Sequence, residues 1–340
     1  MTDGPTTLAS TAEPLQSAHD LAMLDLDGVV YLGPDAVPGA AAALAAARAA
    51  GMRLAYLTNN ASRLAADVAA HLRELDMPEL EDADVVTAAQ AVARLMAADL
   101  PAGAAVLLIG GPGLRGPLED AGLRCVDSLE DDPTAIVQGY HPDLGWRDLA
   151  EASYAVHAGL PWYASNTDKT FPTPRGVAPG NGSLVQAVAN ATGREPIVAG
   201  KPERGLFDAT TDRLGGDRPL MVGDRLDTDI DGAIGAGIAS LVVLTGVSSL
   251  ADVFAAAPGR RPDFVSAGLS GLGDVHGEVA VEGTRSTCGE ATASVDDSGR
   301  VDVAGADPRS TDALRAAVAL AWSWNDTSGG SATPGGTLDP

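Results

Sequence analysis

The residue types able to do chemistry in this chain are carboxylates that directly follow apolar runs. Asp25-Leu26-Asp27-Gly28 comes after Leu21-Ala22-Met23-Leu24, and Gly223-Asp224-Arg225-Leu226-Asp227-Thr228-Asp229 comes after Pro219 to Val222. Thr58-Asn59-Asn60 follows a third such run, Arg53 to Leu57, and Gly200-Lys201-Pro202 follows Ile197-Val198-Ala199. A lone Asp-x-Asp is usually a solvated turn. Asp25, placed against four apolar residues, is expected to be partly buried, where its charge needs a counter-ion. If Asp224 lies nearby, the carboxylates repel one another, and a hard divalent cation with oxygen ligands relieves that; Mg2+ also keeps waters that a phosphate can replace. Lys201 alone would be an ordinary surface lysine, and Thr58 and Asn59 ordinary helix caps. Beside the carboxylates, the lysine becomes a counter-charge for phosphate, and a helix start next to a hydroxyl becomes an anion cradle.

The elements that must position these groups alternate between strand and helix. Strands are expected at 21–25, 53–57, 84–87, 105–109, 135–138, 162–165, 197–199, 219–222 and 241–244, with helices between them. The strands are continuously apolar, which indicates a parallel sheet covered on both faces. Ligands of such sheets bind beyond the carboxyl ends of the strands, where all four polar clusters fall. The fold class is therefore α/β, a doubly wound parallel sheet of Rossmann-like type. Residues 166–180 are expected to form a loop, and a helix is expected to begin at Asp229. Beyond residue 275 the pattern changes to a hairpin across Ala291 to Val303 and an amphipathic helix from Ser310 to Trp324. Residues 1–19 and 326–340 are expected to lack order.

Composition narrows the function. The chain has 340 residues, 46 acidic against 22 basic, for a net charge of −24. This field repels nucleic acid and anionic membrane surfaces, so neither is expected as a partner. The two cysteines, Cys125 and Cys288, form no metal-ligand pattern and fit a reducing cytoplasm. The first nineteen residues have neither the basic nor the apolar region of a secretory leader. The most apolar run, Ala40 to Ala50, contains Arg48 and is too short to span a bilayer. A homodimer is compatible with this composition but not indicated by it.

The ordered set Asp25-x-Asp27-Gly-Val-Val, Thr58-Asn59-Asn60, Gly200-Lys201-Pro202 and Gly223-Asp224 to Asp229 resembles the haloacid dehalogenase superfamily of aspartate-nucleophile phosphatases. Leu57 to Ser62, Pro179 to Gly182 and Val198 to Pro202 are similar to the branch with a large inserted cap, which includes nitrophenylphosphatase-like, phosphoglycolate and pyridoxal phosphatases. The resemblance implies a core at 20–88 plus 197–270, an inserted α/β cap at 89–196 and a small α+β extension at 275–325. It implies that Asp25 attacks phosphorus and that Asp27 serves as general acid and base. Mg2+ would be held by Asp25, the Asp27 carbonyl and Asp224, with Asp229 as an outer partner and Asp227 as a turn residue. Thr58, Asn59, Asn60 and Lys201 would grip the phosphoryl oxygens, while Asn166, Asp168 and Phe171 would contact the substrate body. The substrate so implied is a small phosphorylated metabolite, with glycerol 3-phosphate favoured over phosphoglycolate, pyridoxal phosphate or a nucleotide. A non-enzymatic reading makes the extension a partner-binding module on a sensor core.

Overall fold

The computed structural model describes residues 7–173 and 175–338. They form two compact units, one of Met1–Ala55, Leu75–Pro78 and Gly216–Pro340, the other of Tyr56–Glu74 and Glu79–Gly215. Among the described residues no helix is long and apolar enough to cross a membrane.

The first unit is built on parallel strands. Leu21–Asp25 pairs with Pro219–Gly223, which pairs with Ala239–Val243, which pairs with Phe264–Ser266. Leu21 to Leu24 and Leu220 to Val222 are all fully buried, as strands covered on both faces must be. The register sets Leu24 opposite Val222. Asp25 and Asp224 therefore emerge at the same carboxyl edge. The helix expected to start at Asp229 begins instead at Asp231, after a π-helical turn at Leu226–Ile230 that holds Asp229. Such turns insert one extra residue per turn and are frequent at functional sites.

The C-terminal part of this unit is more ordered than the composition suggests. Strands Ala280–Glu282, Arg285–Cys288, Ala291–Val295 and Arg300–Ala304 form an antiparallel sheet, and helix Thr311–Ser328 covers one face. Alternate residues Ala291, Ala293 and Val295 join Leu314, Ala317, Ala321 and Trp322 in one core with Val242 and Val265 of the parallel sheet, Ile230 of the π-helical turn and Phe254 of helix Leu250–Phe254. The expectation of disorder at both ends is corrected for the described residues. Thr333–Pro334 pairs with the Arg300–Ala304 strand, and the leader is tied down by Ala9 N–H to Asp263 O (2.9 Å) and by Arg315 to Ala9 O (2.7 Å). Residues 1–6 and 339–340 of those stretches lie outside the described residues. Gly- and Ser-rich composition indicated coil, but neighbours far away in sequence supply the hydrogen bonds.

In the second unit Tyr56 to Thr58 pairs in parallel with Val85–Thr87. A separate parallel sheet runs in the order Ile197–Val198, Trp162–Ala164, Ala135–Gln138, Ala105–Ile109, Arg124–Val126. Helices Trp146–His157 and Asn181–Thr192 bury Ala152, Val156, Val185 and Val188 against it. The loop expected at 166–180 contains a hairpin, Thr170–Thr173 with Gly176–Pro179. Its strands are short and carry Pro172 and Pro179, which hid them from pattern reading.

Candidate active site

In the first unit one carboxylate oxygen each from Asp25, Asp224 and Asp229 come together, all within 4.8 Å of one another. Asp224 and Asp229 are fully buried and Asp25 is half-buried. Three like charges at this spacing repel by about 3–4 kcal/mol per pair at an effective dielectric near 20. The donor set is all hard oxygen, which fits Mg2+. Asp229, expected as an outer partner, thus contributes an oxygen to the group. The Asp27 side chain is exposed and is not one of the three.

The surrounding backbone holds these carboxylates in place. Val247 N–H donates to Asp224 Oδ2 (2.6 Å), Ser248 N–H to the Asp224 carbonyl (2.9 Å), and Arg225 N–H to Asp229 Oδ2 (3.1 Å). Thr245 Oγ1 donates to Gly28 O (2.6 Å), closing the turn after Asp27. Gly28 has φ +88°, and a Cβ there would sit 2.5 Å from Asp224 Oδ2. Cβ atoms at Gly246 and Gly223 would likewise strike Asp224 and Asp229. These glycines leave the space the carboxylates occupy. Gly28 and Gly223 adjoin the acidic motifs in the sequence and Gly246 does not; what each of them approaches is set by the fold. Asp227, read as a turn residue, pairs with Arg225 through both oxygens (3.0 and 2.9 Å), which holds its carboxyl below the usual range.

In the second unit Thr58 closes its strand, and its Oγ1 accepts from Asn60 N–H (3.0 Å). Asn60 is exposed and its Oδ1 accepts from Ser62 N–H and Oγ (2.8 and 2.7 Å), the hydrogen bonding of an Asx turn. Asn59 faces Lys201. Its Oδ1 accepts from Lys201 N–H (2.8 Å), and its Nδ2 donates to Lys201 O (3.0 Å) and Asp168 Oδ1 (3.3 Å). Asn166, 4 % exposed, donates from Nδ2 to Asn59 O (2.7 Å) and accepts Asp168 N–H (3.1 Å). Lys201 itself is 2 % exposed. Four of the expected residues, Asn59, Lys201, Asn166 and Asp168, are therefore joined. Phe171 is not one of these four; it packs edge-on against Tyr140 with ring centroids 4.9 Å apart.

The chain belongs to the haloacid dehalogenase-like hydrolases: the family model of that description matches residues 22–124, and a second, HAD-hydrolase-like model matches residues 198–272. It is 48% identical over 254 residues to the D-glycerol 3-phosphate phosphatase of Mycobacterium tuberculosis, covering 75% of this chain and 71% of that protein. The crystal structure of glycerol phosphate phosphatase from the same organism in complex with magnesium superposes with a TM-score of 0.79 at 40% identity, covering 92% of each chain. A p-nitrophenyl phosphatase from Archaeoglobus fulgidus matches with a TM-score of 0.69 at 28% identity, over 75% of this chain and 98% of its own.

Proposed function

We propose that this protein is a Mg2+-dependent phosphomonoesterase that hydrolyses glycerol 3-phosphate to glycerol and phosphate through an aspartyl-phosphate on Asp25. The observation that carries this reading is the Asp25–Asp224–Asp229 group, an all-oxygen cation site at the strand ends. The 48% identity to a D-glycerol 3-phosphate phosphatase supports the choice of substrate.

In this reading Asp25, Asp224 and the Asp27 carbonyl hold the ion, with Asp229 completing the carboxylate set. Bound Mg2+ offsets the charge of nucleophile and phosphate. An Asp25 oxygen forms a bond to phosphorus as the ester P–O bond breaks. Asp27, exposed and outside the cation group, gives its proton to the departing alkoxide. It then takes one from the water that cleaves the aspartyl-phosphate. Thr58, the Asn59–Asn60 turn and Lys201 hold the phosphoryl oxygens. Asp168 and Phe171 face the substrate body, within a cap at 89–196, and Asn166 reaches it through the Asp168 N–H that it holds. The enzyme is taken as cytoplasmic, and a homodimer is the assembly that sedimentation would check.

A phosphate-release screen over small phosphomonoesters, with and without Mg2+, tests the reading. Glycerol 3-phosphate should give the highest kcat/KM and chelator should abolish turnover. A tenfold preference for phosphoglycolate, pyridoxal phosphate or a nucleotide would replace the substrate, and turnover in metal-free enzyme would overturn the mechanism.

A further inference from the structure

A carboxamide carries a C=O and an N–H in the same relation as a peptide group. The Asn59 side chain uses both against the main chain of one residue: Oδ1 takes the Lys201 N–H at 2.8 Å and Nδ2 meets the Lys201 carbonyl at 3.0 Å. The main chain of Asn59 is held in turn, since its carbonyl accepts from Asn166 Nδ2 at 2.7 Å. Asn166 is likewise held, its carbonyl accepting from Asn181 Nδ2 at 2.8 Å at the start of helix Asn181–Thr192. Asn166 and Asn181 are 4 % and 2 % exposed, so these bonds form out of water, where breaking one leaves a desolvated group.

Glycines allow the contact to close. A Cβ on Gly200 would lie 2.6 Å from Ser165 O, 2.8 Å from Asn59 Oδ1 and 3.1 Å from Asn166 Cβ. Cβ atoms on Gly180 and Gly182 would strike the main chain of Thr167 and Asp168. The loop 165–168 therefore rests directly on three Cβ-less positions, and one of them precedes Lys201. A lysine has four rotatable side-chain bonds, so its ammonium is placed by what surrounds the buried side chain and by the main chain from which it springs; fixing that main chain sets where the side chain starts.

We propose that Asn59 and Asn166 are positioning residues for Lys201: the chain of amides Asn181–Asn166–Asn59 locks the lysine's backbone and sets the loop bearing Asp168 in register with it. The proposal rests on the reading that Lys201 is the phosphate counter-charge. It reassigns the Asn59 side chain, expected from the sequence to touch phosphate, to a role exerted through Lys201.

A double-mutant cycle on the full chain decides it, with Asn59→Ala, Lys201→Ala and their combination assayed on glycerol 3-phosphate and for inhibition by orthophosphate. Asn59→Ala should lower kcat/KM by about 10–100-fold, the scale of a misplaced catalytic group. In the Lys201→Ala background the same substitution should change it less than about threefold, because the residue it acts through is gone. Losses that multiply in the double variant would overturn the relay while leaving the lysine's role intact. Wild-type activity in Lys201→Ala would instead overturn the lysine's role, and the relay with it. Should Asn59→Ala fail to fold, Asn166→Asp removes the donor to Asn59 O, keeps the acceptor for Asp168 N–H, and must show the same dependence on Lys201.

Discussion

A carboxylate oxygen of Asp25 lies within 4.8 Å of one from Asp224, although more than half of the chain separates them. The parallel pairing of their strands, with Leu24 opposite Val222, brings the two residues to one edge. Their mutual repulsion becomes useful only when a cation sits among them, and the first predictions follow from that.

Asp25→Asn should reduce kcat below about a hundredth of wild type, since a neutral amide is a poor nucleophile toward phosphorus. The same change removes a like charge from the cluster, so in chelator the variant should melt above the wild type. Activity kinetics and a melting curve of one preparation check both outcomes. A variant that is inactive yet less stable without metal would contradict the repulsion.

Mg2+ should raise the melting temperature of the wild type, by linkage worth about 2.7 kcal/mol at a hundredfold excess over its Kd. Asp224→Asn should lose most of this shift. Gly28→Ala should lose it as well and be destabilised outright, because φ +88° is unfavourable for alanine and its Cβ would press on Asp224. Retention of a full metal-induced shift in either variant would place the ion elsewhere.

Asp27→Asn should slow hydrolysis of glycerol 3-phosphate by about 10²–10⁴-fold, because the alkoxide then leaves unprotonated. A nitrophenyl ester, whose leaving group needs little protonation, should suffer much less in the step that releases it. The comparison is a pre-steady-state burst of nitrophenolate. An equal slowing of that burst and of glycerol release would count against Asp27 as the acid.

The extension should prove inseparable from the core. Arg261, 1 % exposed, stacks on Trp322 at 4.9 Å and forms two bonds to Asp326 (2.8 and 2.7 Å). Asp326→Asn should cost about 1–3 kcal/mol, less than for a wholly buried pair because Asp326 is 41 % exposed. Arg261 holds the Asp326 carboxyl below the usual carboxylate range. The contribution is therefore complete above the unfolded carboxyl pKa and disappears as pH falls through the lower folded value. Urea melts of both proteins across that range measure it. Deleting residues 275–340 should leave an insoluble chain, since it would uncover Ile230, Phe254 and Val265.

Burial, with Arg315 beside the ring, pushes the His276 imidazole down to about 4 from its ordinary 6.5, against the hydrogen bond to Gly271 O (3.0 Å) and the charges of Asp274 and Asp312. The neutral ring is the folded form, whereas the unfolded chain takes up a proton as pH falls below 6.5. Stability from this residue is thus full above pH 6.5 and declines as pH falls toward 4. NMR titration should find the ring neutral at pH 6, and a midpoint near 6.5 would contradict the burial.

Much of this protein is decided locally. Continuous apolar runs such as Leu21 to Leu24, alternating with helical stretches, read as strands covered on both faces, and an aspartate placed just past such a run emerges at its carboxyl edge. The α/β class and the placing of Asp25 and Asp224 at strand ends are therefore legible from residue order alone. Partnership across the chain is not. Asp229 enters the cation group because a π-helical turn redirects it, and Ala9 and Thr333–Pro334 are tied down because Arg315 and the Arg300–Ala304 strand meet them. Asn59 turns toward a lysine backbone that no spacing rule connects with it. Periodicity reports which face of an element is buried; hydrogen bonds between distant side chains depend on how the elements pack, and only the tertiary structure decides that.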